Sequence, residues 1–360
     1  MAWITKKGLM QEAVLDPHTG LKKIVSVKVS GNSKRAEQEA FKRLEAKVAK
    51  LSDTDIKLST CITMYLKENE KTWKPSTYSQ VSNRLNSILT IVGDGYMSAL
   101  TAGYIRKKFM ESGKSIKTVN MYQTRLKTLW RWAYQNDFVQ TMEVADKIAY
   151  VREESKIFRI QDKYLEPNEI KKVLKAMVYD KRYALMSEFL ILTGMRIGEA
   201  CALNDKDVWN DVIIINKTYD KANNIVTTTK TTNSSREIHV QPELRDCIER
   251  IREFMSKQKE VFGYESDLFF PNTDGSYFKY SYYDKYVGNI TEKCLGRRLT
   301  PHVFRHTHAS LLAARGLSLE AISERLGHGD SKITREIYMH RMKELKEKEN
   351  KQLDAIRLLS

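Results

Sequence analysis

The chain has 360 residues, carries 61 Lys and Arg against 45 Asp and Glu, and has a formal net charge of +16 at pH 7; that length calls for two or three folding cores. Hydrophobic residues make up 41% and charged residues 29%, and no apolar run approaches the ~18–20 residues that span a bilayer, which excludes collagen, coiled coil and membrane-spanning classes. Cys61, Cys201, Cys247 and Cys294 are scattered without a CxxC pair, and the opening MAWITKKGLMQE has no apolar signal core, so the chain reads as a cytoplasmic protein with reduced thiols rather than a disulfide frame or zinc ribbon.

The first 50 residues predict short strands at Trp3–Thr5 and Ile24–Val29 on either side of the turn-forming Asp16-Pro17-His18-Thr19-Gly20. Ser33 then caps a helix in which Ala36, Ala40, Leu44 and Val48 recur at helical steps. Lys22, Lys23, Lys28, Lys34 and Arg35 give this unit a basic face. Two readings of that face stay open, a surface laid in a DNA groove and a solvated accessory module.

Residues 51–150 read as helical, from Leu58 to Leu66, from Pro75 through Leu89, and from Ile116 to Tyr134. Lys117, Arg125, Lys127 and Arg131 occupy the polar face of the last helix. The charged, aperiodic stretch 151–164 reads as a linker, after which Glu166-Pro167-Asn168-Glu169 opens a new helix. An apolar helix follows at Ala184–Leu192, then strands at 212–215, 225–230 and 236–240. Helices are expected after that at 242–258, 282–294, 301–315 and 317–326.

Five segments of this last region hold polar residues that packing alone does not require. They are Thr193-Gly194-Met195-Arg196-Ile197-Gly198-Glu199; Thr229-Lys230-Thr231 with Ser234-Ser235-Arg236; His302-Val303-Phe304-Arg305-His306; Leu326-Gly327-His328-Gly329-Asp330; and Ile337-Tyr338-Met339-His340. Singly, each has an ordinary explanation. Arg196 can pair with Glu199, Lys230 can be one more exposed lysine, and Tyr338 is one of eighteen tyrosines. His302 and His306 stand four apart, but Arg305 opposes a second cation there and no acidic cluster accompanies them, so neither a metal nor another cofactor is expected.

In order, Arg, Lys, His-x-x-Arg, Gly-His and Tyr within about 140 residues resemble the signature of the tyrosine recombinases, in the integrase branch of bacteriophages and conjugative transposons. The segments TGMRIGE, TKT with SSR.I, HVFRHTHAS, LGHGD and IYMH carry the likeness. It implies a multidomain, mainly α fold with small β-sheets. An α+β arm-type DNA-binding domain would occupy 1–55 and a helical, SAM-like core-binding domain 56–150. After the linker, a mostly helical catalytic domain with a small antiparallel sheet would span 165–340. The tail 341–360, where Lys and Glu alternate, reads either as a solvated helix or, as the resemblance implies, as a segment that docks on a neighbouring protomer.

The resemblance also implies roles. Tyr338 would be the nucleophile, forming a 3′-phosphotyrosyl link; Arg196 and Arg305 would grip the non-bridging oxygens; and Lys230 would protonate the leaving 5′-oxygen. His302 would assist proton transfer, His328 would hydrogen-bond the phosphate, and Glu199 would orient the site. Lys22, Lys28, Arg125, Lys127 and Arg131 are the candidate DNA contacts, in keeping with a +16 charge that attracts polyanions. Expected partners are double-stranded DNA at core and arm sites and three further copies in a homotetramer. An excisionase and a host DNA-bending protein would be the accessory factors. The implied activity is integration and excision of a mobile element through a Holliday junction, without metal or ATP; no GxxxxGK[ST] motif is present. The alternatives are an Xer-type chromosomal resolvase, disfavoured by the extra N-terminal unit, a non-catalytic DNA-binding protein on the same scaffold, and a metal-dependent nuclease, for which the acidic cluster is missing.

Overall fold

The computed structural model describes residues 2–5, 8–15, 22–31, 33–52, 55–152, 160–228, 235–327 and 332–356. The chain divides into two compact units, 1–154 and 155–360. The catalytic candidates Lys230 and His328, the Asp16–Gly20 turn and half of the expected linker, residues 153–159, lie outside the described residues.

The first unit has two cores. In one, strands β1 (Ala2–Ile4), β2 (Leu9–Leu15) and β3 (Lys22–Lys28) form an antiparallel sheet in that order, with Ile4 opposite Met10 and Met10 opposite Val27. Successive strand residues point to opposite faces. Met10 and Val25 are therefore buried under Ala40 and Leu44 of helix α1 (Lys34–Ser52), while Ile24 and Lys28 stay exposed. The capping expected of Ser33 is present, its hydroxyl accepting from the Ala36 N–H at 3.2 Å.

The second core is made by α2 (Leu58–Asn69), α3 (Pro75–Val92), α4 (Ala102–Glu111), α5 (Ile116–Gln135) and the short α6 (Glu143–Lys147). Pro75 stands in the first turn of α3, where a missing N–H costs nothing, and the Thr101 and Ser115 hydroxyls cap α4 and α5. Leu58, Leu85, Ile88, Ile105, Phe109, Leu126 and Leu129 are fully buried between these helices.

The second unit starts at residue 155, within the stretch read as a linker. Residues 160–163 form a single 3-10 turn, and Tyr164 and Leu165 are completely buried. Leu165 donates its backbone N–H to Thr307 Oγ1 at 2.9 Å. The helices are α7 (Pro167–Ala176), α8 (Lys181–Thr193), α9 (Ile197–Ala202), α10 (Pro242–Phe262), α11 (Tyr280–Leu295), α12 (His302–Ala314), α13 (Leu319–Leu326) and α14 (Lys332–Asp354). Between α9 and α10 lie two antiparallel pairs, β4 (Val212–Ile215) with β7 (Arg236–His239), and β5 (Lys217–Asp220) with β6 (Ile225–Thr228).

Helix α8 is the hub of this unit. It has apolar side chains almost all round, as a helix wrapped by others must, with Leu185, Met186, Phe189 and Leu190 buried against α10 and α12. Helix α14 runs without interruption through residues 340 and 341, so the segment expected as a separate tail starts inside a helix. Ile337, Thr334 and Arg341 are buried, whereas Leu353 and Ile356 are exposed. The mainly helical, multidomain architecture with small antiparallel sheets is the one implied by the sequence.

Candidate active site

The site is built where α8 stops. Gly194 ends the helix in the left-handed conformation, φ +68°, with its N–H donating to the Leu190 carbonyl at 2.9 Å. A side chain there is excluded twice, by φ and by space, because a Cβ would stand 2.5 Å from His308 Cδ2 and 2.7 Å from Leu326 Cδ2. The abrupt turn places Arg196 at the start of α9. Its backbone N–H donates to Glu199 Oε2 at 2.9 Å and its Nη1 to Oε1 at 2.7 Å. Glu199 is 2% exposed while the Arg196 side chain is 35% exposed, so the acid is fixed inside and the guanidinium reaches the surface.

Arg305, on α12, is buried to 1%. Its Nη1 donates to the Gly194 carbonyl and its Nη2 to the Leu326 carbonyl, both at 2.6 Å. One cation thus ties the residue two before Arg196 to the residue two before His328. Burial, and then the positive charge of Arg196, push the Arg305 pKa down to about 9; the group remains charged at neutral pH. His302, one helical turn before Arg305 and at the mouth of the site, also titrates low. Desolvation is the main cause, followed by the charges of Arg305 and Arg196, with Glu199 opposing. The residue keeps part of its surface open to solvent, and its ring meets that of His306 edge-on at 4.8 Å between centroids. A neutral imidazole at the surface beside two guanidiniums is chemically a proton acceptor.

Tyr338 is half-buried on α14 and packs against the cluster of Ala309, Ala313, Ile322 and Leu326 between α12 and α13. The Leu326 side chain therefore touches the tyrosine's cluster while its carbonyl holds Arg305. The helix carrying Tyr338 is anchored one turn further on by Arg341. Its Nε donates to Ser310 Oγ at 2.7 Å, its Nη2 to Glu166 at 2.8 Å and its Nη1 to Glu344 at 2.7 Å, and its guanidinium lies 4.6 Å from the Tyr164 ring centroid.

His306 packs edge-on against His302, and His308 is hydrogen-bonded inside the core. His308 Nδ1 lies 2.7 Å from the Ile191 carbonyl and Nε2 accepts from Arg325 Nε at 3.2 Å. Only the neutral Nδ1–H tautomer satisfies both partners. Burial first, then Arg325, lowers its pKa to about 3. Two arginines went unassigned by sequence reasoning. Arg236 forks onto Glu199, and Arg325 joins His308 to the His239 carbonyl at 3.2 Å and to Gln241 Oε1 at 2.9 Å. The Arg of the SSR.I segment was the available signal for the first; nothing in the sequence marked the second.

The DNA-contact candidates are dispersed over the first unit. Lys28 is exposed at the end of β3, Arg131 is exposed on α5, Arg125 lies beside the Tyr65 hydroxyl, and Lys127 Nζ sits 4.9 Å from the Tyr150 ring centroid. The backbone of Lys22 pairs with Leu15.

The chain is 26% identical over 354 residues to the prophage ps2 probable integrase of Lactococcus lactis, covering 91% of this chain and 92% of that one. It is 29% identical over 349 residues to the ICEBs1 integrase of Bacillus subtilis, covering 90% of each. Among solved structures, the Tn1549 transposon integrase with transposon right end DNA superposes with a TM-score of 0.66 at 20% identity, over 83% of this chain and 100% of that one. A lambda integrase tetramer bound to a Holliday junction superposes with a TM-score of 0.61 at 18% identity, over 94% and 95%. The model of the phage integrase family matches residues 163–344, half of the chain and the whole of the constellation from Arg196 to Tyr338, and the chain therefore belongs to the phage integrase family.

Proposed function

We propose that this chain is an integrase, a site-specific DNA recombinase that cleaves and rejoins DNA to insert and excise a mobile genetic element. The observation that carries the reading is the pair of guanidiniums, Arg196 and Arg305, fixed around one helix end beside His302, in a chain of the phage integrase family. Two forks of fixed charge suit the non-bridging oxygens of a phosphodiester whose negative charge grows during substitution.

The steps follow from the residue types. The Tyr338 oxygen attacks phosphorus while its phenolic proton passes to the neutral His302 imidazole. The bond from phosphorus to the 5′-oxygen breaks, and Lys230 gives that oxygen a proton. The products are a 3′-phosphotyrosyl link and a free 5′-hydroxyl. His328 hydrogen-bonds the phosphate, and Glu199 holds Arg196. The link preserves the energy of the phosphodiester, so rejoining is the same reaction reversed on a new 5′-hydroxyl, and neither ATP nor metal takes part. In the assembled complex four copies exchange strands on two duplexes through a Holliday junction. The N-terminal sheet with Lys22 and Lys28 grips arm sites, while α5 with Arg125, Lys127 and Arg131 lies along core sites. The exposed end of α14, with Leu353 and Ile356, contacts a neighbouring copy.

The experiment is incubation with a nicked core-site duplex in EDTA, followed by denaturing electrophoresis. A covalent protein–DNA band is expected, absent from the Tyr338→Phe variant. Cleavage that leaves no protein attached, or a band that survives the substitution, overturns the reading. On intact paired sites a four-subunit complex is expected in native gels, and a complex no larger than a dimer would remove the tetramer.

A further inference from the structure

Glu199 answers to two cations. Arg236, the first residue of β7, has a side chain only 5% exposed. It donates Nη2 to Glu199 Oε2 at 2.9 Å and Nη1 to Oε1 at 3.3 Å, and its Nε donates to the Arg325 carbonyl at 2.8 Å. Arg196 reaches the same carboxylate with Nη1 and with its backbone N–H. One buried negative charge thus stands between two positive ones, and the trio carries a net charge of about +1.

A carboxylate held away from water requires a cation close by. The fork of Arg236 meets that requirement almost by itself. Burial pushes the Glu199 carboxyl up, but the hydrogen bond and charge of Arg236, and after them those of Arg196, hold it below the ordinary carboxylate value. Without Arg236 the whole requirement falls on Arg196. Its guanidinium would close on Glu199 as a neutral pair and turn away from the surface where a phosphate arrives.

We propose that Arg236 is a positioning residue for strand transfer: by neutralising Glu199 it leaves the charge and the outward nitrogens of Arg196 to the scissile phosphate. The proposal rests on the reading of Arg196 as a phosphate ligand. It differs from a plain structural role in one respect, since the damage done by losing Arg236 comes from the Glu199 charge and is relieved by removing that charge.

The test measures covalent cleavage of the nicked duplex at saturating protein, alongside core-site binding and thermal unfolding. Arg236→Gln is expected to slow cleavage about a hundredfold, the usual loss when a preorganised group stops acting on developing charge, with a much smaller change in binding. Adding Glu199→Gln, which keeps a carbonyl for the Arg196 N–H, should recover at least about tenfold of that rate, a coupling only interacting residues show. A double variant as slow as the single one, or a folded Arg236→Gln protein that cleaves at the wild-type rate, overturns the proposal. Should Arg236→Gln fail to fold, Arg236→Lys decides. It retains the charge and is expected to cleave within about tenfold of wild type, whereas a folded lysine variant without measurable cleavage contradicts the charge argument. Failure of the wild-type protein to form any adduct would instead strike the recombinase reading itself.

Discussion

At the scale of single residues, the site depends on keeping two histidines neutral among arginines. His308 is 3% exposed, gives Nδ1–H to a carbonyl and accepts from Arg325. Protonation would set its charge against Arg325 and destroy the second bond. Its pKa is about 3 in the folded chain, as is that of His306, against ~6.5 unfolded. A pKa lowered by folding means that the unfolded chain binds the extra proton. The contribution is therefore complete above pH ~6.5 and is lost as pH falls towards the folded value. Between pH 7 and 5, where ordinary carboxylates stay ionised, His308 alone is expected to remove on the order of 2 kcal/mol. Urea unfolding of the second unit at the two pH values checks this, and an unchanged midpoint would contradict it. Much of this scale was legible in the sequence. Gly194 and Arg196 stand just past the apolar helix expected at Ala184–Leu192, and the Arg196–Glu199 pair has helical spacing. The SSR.I segment marked Arg236 without revealing its partner, and nothing marked Arg325, because the partners are a carboxylate 37 residues away and groups on other elements, and no local pattern encodes such distances.

At the scale of elements, the long amphipathic helices followed from periodicity, and several short pieces did not. Strand β2, LMQEAVL, lacks a clean alternation and becomes a strand only because β1 and β3 flank it. Strand β5, KTYD, is polar and half-buried throughout, held by pairing with β6 and by the stacking of Tyr219 on Tyr277 at 4.5 Å. The change to alternating Lys and Glu after residue 340 suggested a boundary, yet such residues are good helix formers and α14 simply continues. Its anchor is Arg341, whose partners Glu166 and Glu344 are themselves partly exposed. Arg341→Ala is expected to destabilise the second unit by roughly 2 kcal/mol, below the range for a fully buried pair, and to slow cleavage by loosening the helix that carries Tyr338. Thermal unfolding and adduct formation measure the two effects. A destabilised variant with wild-type cleavage would show that α14 needs no such anchor.

At the scale of the whole molecule, the proposed function divides the +16 charge into work on one phosphate and a grip on many. On that reading the lysines and arginines spread over both units would release counterions from DNA, so binding should weaken steeply with salt. Reversing one exposed charge of the N-terminal sheet, Lys28→Glu, is expected to weaken arm-site binding and flatten its salt dependence while core-site cleavage stays unchanged. Gel shifts over a salt series test it, and equal loss at both kinds of site would remove the division of labour. The family and its order of motifs were legible because the chemistry needs particular side chains, which a sequence displays directly. The placement of DNA-reading side chains was not, because groove contacts depend on docking rather than on local pattern. The central claim is a covalent bond at one residue. The most direct measurement is to trap the adduct, digest it with nuclease and trypsin, and sequence the modified peptide by mass spectrometry. The account predicts a 3′-linked nucleotide on Tyr338; a nucleotide on any other side chain, or attachment through a 5′-phosphate, would contradict it.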